Sequence, residues 1–161
     1  MERMKEGIRL RESGKLLEAN QFFKNLVSEY PDDAQINYQC AWSYDVLGLE
    51  SEAIPYYKKA IESGLPAADE RDAYIGLGST LRETGAYQES KELLEKAIEK
   101  FNSNAMRAFL ALSLYNLGEN KEAVQLLLRL LLKTTSDQQI LAYQKALSVY
   151  GDTLPDSFDP I

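Results

Sequence analysis

The residues able to do covalent or acid–base chemistry are few. Cys40 is the single cysteine, so no internal disulfide can form, and there is no histidine. That removes zinc sites of the Cys/His kind, Ser–His–Asp and Cys–His nucleophile systems, and the commonest general base. The 25 acidic residues could supply paired carboxylates, but they alternate with lysines along helical stretches, the pattern of a solvated face laced with ion pairs four residues apart. No glycine-rich phosphate loop, nucleophile motif or metal-ligand spacing is present. The sequence therefore predicts no enzyme, no cofactor and no metal. Cys40 itself, between Gln39 and Ala41 in an apolar stretch, reads as a small core residue.

What remains is the chemistry of recognition. Trp42 is the only tryptophan, and Tyr38 precedes it by four residues, so a helix would place both on one face. Aromatic pairs of this kind anchor protein interfaces. The other reading of Trp42 is simple packing against a neighbouring helix.

Such residues need a scaffold. The chain has 161 residues, 45% apolar and 27% charged, enough for one domain with its own core. The formal charge is −7 and the 18 basic residues are scattered, which argues against a nucleic-acid partner. No apolar run reaches the roughly 18 residues of a membrane span. The opening stretch holds Glu2, Arg3, Lys5, Glu6, Arg9, Arg11 and Glu12, unlike a signal peptide, so a cytoplasmic location is expected.

The scaffold is written repetitively. "LRESGKLLEANQFFKNLVSEY" at residues 10–30 has the outline of "LRETGAYQESKELLEKAIEKF" at 81–101. Gly14, Gly48, Gly85 and Gly118 are spaced by 34, 37 and 33 residues, and Gly151 follows after another 33. Apolar residues recur three and four apart on both sides of these glycines, which predicts helix hairpins with glycine at the turn. Small residues fall where paired helices must approach: Gly7, Ala41, Gly78 and Ala111 on one helix, Ala19, Ala53, Ser90 and Ala123 on the other. Phe23, Tyr57, Leu94 and Leu127 are expected to fill the space between successive hairpins.

Caps set the boundaries. Pro31-Asp32-Asp33 ends one helix and caps the next. Ser136-Asp137-Gln138-Gln139 fits a capping box that opens a single terminal helix over 137–150. Pro55 is expected in a first turn, where it costs little. Residues 63–68 are expected to form an enlarged loop, and 152–161 an irregular tail.

This pattern resembles the tetratricopeptide repeat, whose signature is W-x2-L-G-x2-Y, then A-x3-F, then P. Ala19, Phe23 and Pro31 match it, as do Ala41, Tyr44, Ala53 and Tyr57, although the tryptophan position holds Arg3, Asn37, Tyr74 and Arg107. The resemblance implies an all-α, right-handed α-solenoid of about four hairpins plus a C-terminal capping helix. Its single domain would cover 1–151, with repeats at about 1–33, 34–70, 71–103 and 104–136.

It also implies a non-catalytic protein- or peptide-binding adaptor that uses a concave groove. By that resemblance the groove is lined by Met4, Ile8 and Arg11, then Tyr38, Trp42 and Asp45, then Ile75, Ser79 and Arg82. Leu112, Tyr115, Leu141 and Lys145 complete it, with Asp45, Arg82 and Lys145 orienting the ligand. One subtype of the family clamps acidic chaperone tails with lysine, asparagine and arginine. Met4, Ile8, Asp72 and Gly76 stand in the corresponding places here, so that function is not implied.

The fourth repeat departs from the others. Where Lys24, Lys58 and Glu95 present charge, Leu128 follows; where Ser28, Glu62 and Glu99 stand, Leu132 follows. Either the C-terminal tail covers these leucines or a partner does. The alternative function is thus a structural or assembly subunit that self-associates, or docks a partner, through Leu128 and Leu132.

Overall fold

The structure is a computed structural model that describes residues 2–155, without the side chain of Glu2. Among the described residues there is no strand; α-helices follow one another with short turns. They are α1 Lys5–Glu12, α2 Leu16–Glu29, α3 Ala34–Asp45, α4 Glu50–Glu62, α5 Ala67–Glu83, α6 Tyr87–Phe101, α7 Asn104–Asn116, α8 Asn120–Thr134, α9 Gln138–Ala142 and α10 Gln144–Asp152. A 3-10 turn over Glu2–Met4 leads into α1. No described helix is long and apolar enough to cross a membrane.

Internal contacts divide the chain into two compact units, Met1–Ala86 and Tyr87–Ile161. In the first, α1 packs on α2, α2 on α3, α3 on α4 and α4 on α5. Gly7 lets α1 close on α2: a Cβ there would lie 2.6 Å from both Phe22 Cδ1 and Phe23 Cζ. Ala19, Phe23, Ala41, Ala53 and Tyr57 are buried, as the repeat predicts. The buried Asn20 side chain donates to Ser43 Oγ at 3.0 Å, tying α2 to α3. In the second unit α6 packs on α7, α7 on α8, and α8 on α10. There the buried Ser90 and Ser113 hydroxyls meet at 2.8 Å, again across 23 residues. Such pairs satisfy buried polar groups while fixing helix register.

Gly14, Gly48, Gly85 and Gly118 all have positive φ, from 70° to 84°, the conformation expected of a glycine that ends a helix. Gly151, the fifth in that series, is different. It lies inside α10 and is buried, because Leu128 of α8 packs against it: a Cβ on Gly151 would stand 2.8 Å from Leu128 Cδ2. Close helix approach, not a turn, is what that glycine serves.

Other boundaries are corrected as well. The terminal helix is broken at Tyr143 into α9 and α10. Asp137, not Ser136, is the cap, accepting from the Gln139 and Ile140 amides. Pro55 lies inside α4, in its second turn, where it forfeits one backbone bond. The extra residues of the third repeat lengthen a helix more than a loop. Gly64 turns the chain, Leu65 is buried, and α5 starts at Ala67 and runs 17 residues. Of the expected tail, Asp152 ends α10, and residues 156–161 lie outside the described residues.

Candidate binding surface

Three of the nine first-unit residues predicted to line a groove meet in one stack. Tyr38 and Trp42, one turn apart on α3, stack with ring centroids 6.2 Å apart and planes inclined by 29°. Arg11, at the end of α1, lays its guanidinium 3.7 Å from the Trp42 ring centroid and 5.9 Å from that of Phe23. Tyr38 is buried, yet Trp42 keeps 41% of its surface exposed. An indole so pinned and still so exposed has little rotamer freedom left to lose on binding. Burial lowers the Arg11 guanidinium from its usual pKa, and burial pushes the Tyr38 hydroxyl up to about 12.

Beneath this stack lies a polar strut that sequence reasoning missed. Tyr57 of α4 sits 6.2 Å from Tyr38, ring to ring, and donates its hydroxyl to Asp45 Oδ2 at 2.5 Å. Thr80 of α5 donates to Asp45 Oδ1 at 3.1 Å. Each oxygen of Asp45 thus accepts one hydrogen bond, so this carboxylate, expected to orient a ligand, also ties α3, α4 and α5 together. Burial raises its pKa, partly offset by the two hydrogen bonds. Gly76 admits the Tyr57 ring, since a Cβ there would lie 2.6 Å from Tyr57 Cζ and Oη. An aromatic at position 57 and a glycine at 76 were readable signals of packing; their contact was not.

The remaining first-unit residues flank the stack. Met4 is buried and Ile8 half-buried, and both line a pocket of about 760 Å³ with Ile36, Gln39 and Asp69. Gln35, also at its wall, donates to Asp69 Oδ2 at 2.6 Å. Ile75 and Ser79 are half-buried on α5. Ser79 lines a smaller cleft of about 190 Å³ beside Asp45 and Glu83. Arg82 pairs with its neighbour Glu83. In the second unit, Leu112 and Tyr115 of α7 are exposed, Leu141 of α9 is half-buried and Lys145 of α10 is exposed.

The apolar outer face of α8 is also relocated. Leu128 and Leu132 are half-buried, and Leu128 packs against Gly151 of α10; the part of the expected tail over 156–161 lies outside the described residues. The exposed apolar residues of α8 are Val124, Leu127 and Leu131, spaced by three and four. Leu127 was expected to fill the space between this hairpin and the next; among the described residues the helices after α8 are the short α9 and α10, and Leu127 is exposed. Arg129 holds α10 through Asp152 at 2.7 Å.

The sequence matches the family described as Tetratrico peptide repeat over residues 34–154. The chain belongs to the tetratricopeptide-repeat family. Solved structures give the same fold. MamA from Desulfovibrio magneticus RS-1, residues 41 to its end, is 14% identical with a TM-score of 0.73, the match covering 93% of this chain and 84% of that one. Another MamA crystal structure is 21% identical, with a TM-score of 0.73 and coverage of 91% and 88%. YrrB, described as a tetratricopeptide-repeat protein with an unusual peptide-binding site, is 18% identical, with a TM-score of 0.71 and coverage of 96% and 78%. No curated protein matches significantly. At these identities the likeness carries the all-α solenoid fold and nothing finer.

Proposed function

We propose that the chain is a protein- or peptide-binding adaptor whose first unit reads its partner through the faces of α1, α3 and α5. The observation that carries this is Trp42: 41% exposed, stacked on Tyr38 and pinned by Arg11. A core tryptophan would be covered, and a merely tolerated surface tryptophan would lack two ring-face contacts. Family membership and the peptide-binding description of YrrB support the same reading. Elongated ligands suit it, because the side chains concerned are spread along successive helices instead of converging in a closed pocket.

The test is a selection of random peptides on the wild-type chain, with affinities then measured on variants. A hot-spot aromatic contributes about 2 kcal/mol or more, so Trp42→Ala should weaken selected peptides roughly thirtyfold. Lys58→Ala, at an exposed residue of α4, should leave affinity within about twofold of wild type. Trp42 fluorescence should change on binding. Peptides that bind wild type and Trp42→Ala equally would refute the proposal.

A second reading rests on the stripe Val124, Leu127 and Leu131, whose exposures of 49%, 42% and 42% make an apolar band along α8. Bands of this kind mark association surfaces. On this reading a second copy of the chain covers it. Leu127→Glu with Leu131→Glu should then lower the mass seen by sedimentation without lowering the melting temperature. A wild-type chain that sediments as a monomer at high micromolar concentration would exclude it.

A further inference from the structure

Arg11 is a half-buried cation whose guanidinium has no acceptor among the described residues. Among the described residues its side chain takes part in no hydrogen bond or ion pair, and its Nη1 has neither solvent nor an acceptor beside it. Its guanidinium face is occupied by the Trp42 indole at 3.7 Å, with Phe23 farther off at 5.9 Å. Stacking uses the π face of a guanidinium. It leaves the N–H donors, which lie in the plane, pointing outward along the edge. Desolvated N–H donors are normally paired, and leaving them unpaired is costly. Trp42 keeps 41% of its surface exposed and its ring centroid lies 3.7 Å from the guanidinium, so a ligand seated on the indole comes close to Arg11.

The charges nearby leave this role to Arg11 alone. The charged residues acting on Tyr38, the other ring of the stack, are Asp72, Asp69, Arg11 and Arg71. Arg71 is paired with Asp72 at 2.8 Å, and Asp69 accepts from Gln35. Asp45 is taken by Tyr57 and Thr80. Glu12 adjoins Arg11 in sequence and acts on it without a hydrogen bond or ion pair. One planar cation, with no second free cation acting on Tyr38 among the described residues, suits one planar monoanion, and a carboxylate matches the guanidinium edge with two parallel hydrogen bonds.

We infer that Arg11, held flat against Trp42, is a subsite for a carboxylate of the bound partner, supplied by an aspartate or glutamate side chain. This rests on the proposed reading of the Trp42 surface and adds the chemistry of the residue it selects.

The test uses the full chain and small probes at low salt. Glutarate is titrated while the Arg11 Nε–H and Trp42 indole N–H signals are followed by NMR. The neutral isostere glutaramide and methyl phosphate are run in parallel. Glutarate should shift both signals saturably, and glutaramide should bind at least tenfold more weakly. Arg11→Lys, which keeps the charge but loses the two-pronged geometry, should weaken glutarate at least fivefold, and added salt should weaken it further. Equal shifts with glutaramide, no shift with glutarate, or tenfold tighter methyl phosphate would overturn the inference. Selected peptides report separately. Acidic residues should be enriched in them, and their replacement by glutamine should matter on wild type and not on Arg11→Gln. Peptides that depend on Trp42 but ignore Arg11 and their own carboxylates would overturn this subsite and leave the adaptor reading standing. Independence from Trp42 would remove both. A peptide whose carboxylate dependence resides only in its C-terminus would overturn the side-chain source.

Discussion

At the scale of single residues, the chain buries its one thiol and leaves its one tryptophan 41% exposed. Cys40 is fully buried, and burial pushes its thiol up to about 12, so it is a packing residue in the sense its neighbours predicted. Burial also raises Tyr38 to about 12, and it raises Tyr57 further, where the adjoining Asp45 carboxylate adds to the effect. For each, the folded pKa exceeds the unfolded one, so the native state holds its protons more tightly. Their contribution is fully present below about pH 9 and is lost as the pH rises towards 12. The melting temperature should therefore fall steadily between pH 9 and 11. Cys40 should stay unreactive to a thiol reagent at pH 8 until denaturant is added. A flat melting profile over that range, or prompt labelling of the native thiol, would contradict the burial described. Sequence showed which residues were aromatic or nucleophilic. It could not show that Asp45 bonds Tyr57 and Thr80, since those partners are 12 and 35 residues away and the pairing depends on how α3, α4 and α5 pack.

At the scale of elements, helix periodicity and turn glycines were legible because both are local. Gly14, Gly48, Gly85 and Gly118, all with positive φ, fall at the predicted turns. Failures arose where a local signal had two physical meanings. Gly151 continues the spacing of the turn glycines, yet it is needed for the approach of α10 to Leu128. Gly76 was noted only as a residue unsuited to an acidic-tail clamp, and it proves to be the seat of the Tyr57 ring. Gly76→Ala would force that ring away and strain its bond to Asp45. Overpacking of this kind costs about 1–3 kcal/mol. Chemical denaturation should show that loss, and Tyr57→Phe in the same background should recover little of it, because the clash involves the ring carbons as well as the hydroxyl. Unchanged stability of Gly76→Ala would mean that α4 and α5 are farther apart than described. The outward leucines of α8 were misplaced for a similar reason. Comparison with earlier repeats assumes that every helix meets an equivalent neighbour, and α8 meets the short α10 instead.

At the scale of the whole molecule, the repeat made the all-α solenoid readable from one sequence, and family and structural comparisons agree. Its binding surface was readable only as a set of positions. Side-chain packing decides which of them stay accessible: Trp42 keeps 41% of its surface exposed, Met4 is buried in a pocket wall, and Asp45 accepts hydrogen bonds from Tyr57 and Thr80. The central claim is that the α1, α3 and α5 faces of the first unit are where the partner binds. Amide chemical-shift mapping with a peptide selected on the wild-type chain tests it most directly. The account predicts that the largest shifts fall at Ile8, Arg11, Tyr38, Trp42, Ile75 and Ser79, while Lys58 and Leu17 stay unmoved. Shifts centred on α2 and α4, or confined to residues beyond Ala86, would contradict it.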